Sequence, residues 1–63
     1  MKIKIKSFNG ELPKYLTLDK EYDVIYDNGY GIVSCYSDDG FLFDACIDAP
    51  SLRLNGGYWE VIE

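Results

Sequence analysis

The stretch that decides the fold runs Glu21-Tyr22-Asp23-Val24-Ile25-Tyr26, then Asp27-Asn28-Gly29, then Tyr30-Gly31-Ile32-Val33-Ser34-Cys35-Tyr36. Its first six residues alternate, with Tyr22, Val24 and Tyr26 on one side and Glu21, Asp23 and Ile25 on the other. A period of two in β-branched and aromatic residues predicts a half-buried strand. Asn-Gly between two such runs signals a hairpin, because both residues tolerate positive φ. The returning strand, about Tyr30 to Tyr36, carries Ile32 and Val33 side by side, which leaves its inward face open. Ser37-Asp38-Asp39-Gly40 predicts a second tight turn, and Phe41-Leu42-Phe43 restarts a strand that fades by Ala45 or Cys46.

Outward from this pair of hairpins, the N-terminus also alternates, with Ile3 and Ile5 on one face and Lys2, Lys4 and Lys6 on the other. That pattern is another half-buried strand, and its lysine row suits a sheet edge, where charge discourages pairing with a second chain. Ser7 to Lys20 is punctuated by Asn9-Gly10 and Pro13, so it reads as a long loop whose end, Tyr15-Leu16-Thr17-Leu18, folds back on the core. Residues 46–57 read as an irregular crossover with one 3₁₀ turn near Pro50 to Arg53, and Tyr58-Trp59-Glu60-Val61-Ile62 closes the fold. The expectation is an all-β domain over residues 1–63: a small five-stranded antiparallel barrel, since closure removes exposed edges. Its expected core contains Ile3, Ile5, Leu18, Val24, Val33, Phe43, Trp59 and Val61.

Sixty-three residues lie below the size at which a single core is comfortable, and aromatics at 16% supply the missing apolar area. No run approaches the roughly 20 apolar residues that cross a bilayer. The first residues lack the continuous apolar segment of a secretory signal, which predicts a reducing cytoplasm and free thiols at Cys35 and Cys46, with a Cys35–Cys46 disulfide as the alternative.

Charge is unevenly placed. Residues 1–20 net +3, whereas residues 21–63 hold nine acids against Arg53 alone and net −8. Most of the molecule therefore repels a polyanion, so nucleic acid is an unfavoured partner and a membrane is not expected. The simplest role for the acids is a solvated surface.

Catalytic chemistry finds little footing. There is no His, the usual general base near neutral pH. Cys35 lies between Ser34 and Tyr36 with no activating neighbour, and Cys46, beside Asp44 and Asp48, is weaker still as a nucleophile. Two cysteines without His do not build a zinc site, and the acids lack the spacing of a calcium loop, so no metal or cofactor is expected. Protein binding is the class that remains. Six tyrosines exceed what so small a core can bury, and Tyr26, Tyr30 and Tyr36 flank turns.

One resemblance adds to this. Leu16-Thr17-Leu18-Asp19-Lys20-Glu21-Tyr22-Asp23-Val24 resembles the L-T-x-G-K-x-Y-x-V entry of small bacteriophage proteins with a Src-homology-3-like barrel. Asp38-Asp39-Gly40 and Trp59-Glu60-Val61-Ile62 match the turn and the closing segment of those chains, so the likeness spans about residues 15–63. It departs at Asp19, where glycine is commoner, and in the longer 45–57 segment. The resemblance implies a phage accessory protein, non-enzymatic, acting in the cytoplasm of the infected bacterial host on a host protein, which it binds and in some cases inhibits. The residues expected to meet a basic partner surface are Tyr26, Tyr30, Tyr36, Asp38, Asp39, Asp44 and Asp48. The alternatives are a nucleic-acid-binding barrel that uses the N-terminal lysine row, and a structural part that self-assembles.

Overall fold

In the computed structural model, which describes residues 1–63, six strands form two three-stranded antiparallel sheets rather than one closed barrel. The strands are β1 (Lys2–Ser7), β2 (Tyr22–Asp23), β3 (Tyr26–Asp27), β4 (Ile32–Tyr36), β5 (Leu42–Cys46) and β6 (Tyr58–Ile62), with a 3₁₀ turn at Leu52–Leu54 before β6. The first sheet has the order β2-β1-β6 and the second β3-β4-β5. No helix is long and apolar enough to cross a membrane.

The sixth strand arises because the run 21–26 is broken at Val24-Ile25. Tyr22 pairs with Ile3 in the first sheet, and Tyr26 pairs with Ser34 in the second. At the corner the Val24 amide donates to the Met1 carbonyl and the Ile25 amide to the Ser34 carbonyl, so the chain hands its bonds from one sheet to the other. The alternation does not survive the bend: Tyr22 is 3% exposed and Tyr26 is 63% exposed.

The lysine strand is not an edge. β1 is the centre of its sheet, with Lys2 opposite Asp23 of β2 and Lys4 opposite Glu60 of β6. Opposite charges across a ladder stabilise it, which is why a lysine row is tolerated between two strands. Lys2 and Asp23 approach to 3.4 Å. A register shift between Ile5 and Ser7 interrupts the β1–β6 ladder, and there Gly57 packs onto β1 so closely that a Cβ would collide with the Ser7 carbonyl. Only glycine fits that approach.

Both sheets press their inner faces on a core of Ile3, Ile5, Leu16, Tyr22, Val33, Cys35, Phe43, Ala45, Leu54 and Trp59. Val33, not Ile32, is the inward residue of that adjacent pair. At the centre, Phe43 stacks on Trp59 with centroids 5.8 Å apart, and Tyr22 meets both rings edge-on. The Trp59 indole N–H donates to Ser51 Oγ at 3.2 Å, so the polar atom of this buried ring is satisfied. Two expected core residues are outside. Leu18 sits at the tip of the Thr17–Lys20 turn, and Val61, although opposite Ile3, lies on an edge strand and is left 39% exposed. Val24 is half-buried and packs against the core from its rim.

The two cysteines are unpaired. Cys35 points inward opposite Phe43, whereas Cys46 pairs with Ile32 and faces outward. Three ladder positions and opposite faces put the two thiols about 10 Å apart or more, beyond disulfide reach.

Candidate protein-binding surface

The two hairpins of the second sheet set where the expected site residues lie. In the first, Asn28 does not take positive φ. Its side-chain carbonyl instead accepts the Tyr30 and Ile32 amides at 2.7 and 3.2 Å, and Asp27 Oδ1 accepts the Gly29 amide at 2.8 Å. These local bonds build a loop longer than the two-residue turn that Asn-Gly predicts. In the second, the Gly40 amide donates to the Ser37 carbonyl and the Ser37 amide to the Phe41 carbonyl, with Gly40 at φ 81°. That is a three-residue loop with glycine in the left-handed position.

Tyr26, Ser34 and Asp44 stand in one row across β3, β4 and β5 on the outer face of the sheet. Ser34 Oγ donates to Asp44 Oδ1 at 2.8 Å, and Tyr36 continues the same face opposite Leu42. Tyr36 is 54% exposed and Leu42 is 57% exposed, so this face is apolar and open at one end and acidic in its middle. Tyr30 and Asp48 lie at one end of the sheet: Asp48 packs against Gly31, the chain neighbour of the exposed Tyr30. Asp38 and Asp39 lie in the turn at the other end of β4, about 20 Å away at a strand rise of about 3.3 Å per residue. The seven residues therefore follow one sheet from end to end rather than gathering at a single point.

Asp38 differs from the others because it is occupied from within. Lys20 Nζ donates to its Oδ1 at 2.6 Å, the Tyr22 hydroxyl donates to the same oxygen at 3.0 Å, and Thr17 Oγ1 donates to its Oδ2. Tyr22 also accepts the Thr17 amide at 2.7 Å, and the Asp38 amide donates to the Tyr15 carbonyl. The carboxylate thus fastens the long first loop to the second hairpin. The hydrogen bond from Lys20, with a second from Thr17, holds Asp38 below the usual carboxylate range, and the same bond raises Lys20. Burial raises the Tyr22 phenol.

Asp39, Asp44 and Asp48 have no cationic partner; the ion pairs of the molecule are Lys2–Asp23 and Lys20–Asp38. Between Lys20 and Arg53 the chain has seven acids and no base. No family model, curated protein or solved structure matches this chain.

Arg53, the only arginine, has no sequence signal for its role, which depends on distant partners. Its Nε donates to the Asp44 carbonyl at 2.8 Å, its Nη1 to the Tyr15 hydroxyl at 3.0 Å, and its guanidinium carbon lies 5.4 Å from the Phe43 ring centre. The thiol of Cys35 is pushed up to about 11, by burial first and by the charge of Asp23 second, which leaves it protonated and inert near neutral pH. No group of three or more acids or thiols converges on a point where a metal ion would sit.

Proposed function

We propose that this chain is a non-enzymatic protein-binding module, a phage accessory protein that engages a host protein with a basic surface through the acidic, tyrosine-bearing face of its second sheet. One observation carries the reading: Asp39, Asp44 and Asp48 are unneutralised on the same sheet that exposes Tyr26, Tyr30 and Tyr36. Carboxylates left without cationic partners complement a cationic surface, and tyrosine adds contact area at small entropic cost. The phage origin, the host setting and the Src-homology-3-like identity rest on the residue-level resemblance. Its support in the fold is the turn at Thr17–Lys20, the two hairpins that follow, and a kinked strand that passes from the first sheet to the second as in an opened barrel.

The lysine-row alternative has less behind it, since Lys2 is paired with Asp23 and Lys4 faces Glu60 across the ladder. The deciding experiment is affinity capture from a bacterial host lysate, with wild type beside a variant carrying Asp39→Asn, Asp44→Asn and Asp48→Asn. Asp38 is left intact because it holds the first loop. The reading expects a host protein retained by wild type at low salt and lost both from the variant and at high salt. Equal retention by the variant refutes it, and loss on changing Lys2, Lys4 and Lys6 to Gln moves the function to the lysine row.

A further inference from the structure

The free edge of the second sheet points to how such a partner is held. The Ser37 amide donates to the Phe41 carbonyl and the Ile47 amide to the Gly31 carbonyl, which marks 37 with 41 and 31 with 47 as bonded pairs. Antiparallel ladders alternate bonded and non-bonded pairs, so Cys35–Phe43 and Val33–Ala45 are bonded as well. The backbone N–H and C=O groups of Leu42, Asp44 and Cys46 therefore point away from β4, toward the open side of the sheet. β5 has no strand on that side. Two clefts of about 260 and 490 Å³ run along it, and Tyr15 and Arg53 line both. An unpaired strand edge is a template for another strand unless it is blocked. Here Arg53, held also by the Tyr15 hydroxyl, takes the Asp44 carbonyl between the two clefts, and an added strand that spans β5 displaces that one side chain.

We infer that the β5 edge receives an extended, cationic segment of the partner as an added strand, a proposal that rests on the basic-partner reading above. Charge selects this occupant. A second copy paired antiparallel through its own β5 brings Asp44 toward Asp44, a like-charge contact across a ladder that opposes self-pairing. A strand with Lys or Arg facing Asp44 and an apolar residue facing Leu42 meets complementary chemistry at both positions. Arg53 already displays the match: a guanidinium bonded to the edge carbonyl and laid over the Phe43 ring. In this mode the main-chain bonds supply affinity and the alternate side chains supply selection.

The test uses the full chain, ¹⁵N-labelled, titrated with a synthetic peptide of about eight residues built on the repeat Arg-Thr-Val-Thr, which sets Arg and Val two residues apart on one face and is long enough to span β5. Two control peptides carry N-methyl groups on alternate residues, which removes the strand-forming N–H groups, or Glu in place of Arg. Amide exchange at Leu42, Asp44 and Cys46 slows by about tenfold or more with the cationic peptide, and neither control has this effect. Asp44→Asn, which keeps an acceptor for Ser34, weakens binding about two- to fivefold, the size of one exposed ion pair. If the N-methylated peptide binds as well as the unmodified one, with shifts confined to Tyr26 and Tyr36, the added-strand mode is wrong while the acidic-face reading stands. If the cationic peptide does not bind at all, both are wrong.

Discussion

The two sheets have nearly the same size and share one core, yet they treat charge in opposite ways. In β2-β1-β6 two of the three strand lysines have an acid across from them, Lys2 with Asp23 and Lys4 with Glu60, while Lys6 lies at the register shift. In β3-β4-β5 there is no cation at all, and the acids that flank or face outward from the strands have no ion-pair partner, apart from Asp38, which Lys20 reaches from the first loop. A sheet whose charges are compensated internally has little electrostatic reason to attract a partner. A sheet with uncompensated acids beside exposed aromatics has one. The net charge of −5 hides this division because it sums a balanced half and an unbalanced half.

The largest effect should come from the seam where the two sheets meet. Trp59 belongs to the first sheet and stacks on Phe43 of the second. Trp59→Ala removes that contact and leaves a cavity, at a cost of roughly 3–5 kcal/mol, enough to unfold a domain of this size. Circular dichroism melting checks it. Loss of structure from both sheets together is expected; survival of either sheet alone would show that the two regions are independent units and that the comparison is of domains, not faces.

Much of this seam was legible in the sequence, and the rest was not for identifiable reasons. Ile3 and Ile5 announce themselves by alternation, which depends only on near neighbours; Val33 and Phe43 belong to apolar runs that mark a strand without marking its inward face. The break at Val24-Ile25 leaves no mark, because a bent strand and a straight one have the same alternating residues. Cys35, with no activating neighbour, reads as a packing cysteine and is fully buried, whereas Leu54 is buried because of how the crossover docks, and no local period reports docking. The same holds for the site. Exposed tyrosines beside turns could be anticipated, but Asp38 and Arg53 find their roles through partners 9 to 38 residues away. Asp38 and Asp39 look alike in the sequence; only the arrival of the first loop separates them.

That separation yields the next prediction. Tyr22→Phe keeps the aromatic contacts and deletes the hydroxyl that joins Thr17 to Asp38, at a cost of about 1–2 kcal/mol, readable as a lower urea midpoint with unchanged slope. The network also sets the pH range. Asp38 is held below its ordinary value, so its contribution is present at neutral pH and is lost as pH falls below about 4. Lys20, Tyr22 and Cys35 are all raised, so their contributions hold at neutral pH and are lost as pH climbs past about 9. Stability should therefore form a plateau between those limits, and Asp38→Asn should flatten its acid side. An acid limb that is the same in Asp38→Asn as in wild type removes Asp38 from the account.

Charge variants compare the sheets directly, with smaller effects. Lys2→Gln and Lys4→Gln each remove one member of a cross-strand pair and should lower stability by about 0.2–1 kcal/mol. Asp44→Asn and Asp48→Asn remove acids that have no cation, and should change stability by less than about 0.5 kcal/mol in either direction. The denaturation midpoints of the four variants, measured at low salt, check the asymmetry. Equal losses in both sheets would mean that the second sheet's acids are compensated after all.

The smallest effect concerns the turn that leads from the first loop into β2. Asp19 has φ 68°, one of two non-glycine residues in the left-handed region. An L-residue pays about 1–2 kcal/mol there, less for Asp than for most because its short polar side chain tolerates the region. Asp19 makes no side-chain hydrogen bond that the substitution would sacrifice, and its side chain is exposed. Asp19→Gly relieves the strain but enlarges the freedom of the unfolded chain, a loss of about 0.4–1 kcal/mol by itself. The two terms oppose each other, so a net gain of only a few tenths of a kcal/mol is expected. Asp19→Ala separates them: it keeps the strain, lacks the tolerance of Asp and should destabilise. The order Gly above Asp above Ala in thermal midpoint is the expected result. Ala equal to Asp would show that the turn relaxes out of the left-handed region, and the loop would then owe its position to the bonds that Asp38, Tyr22 and Arg53 make to it.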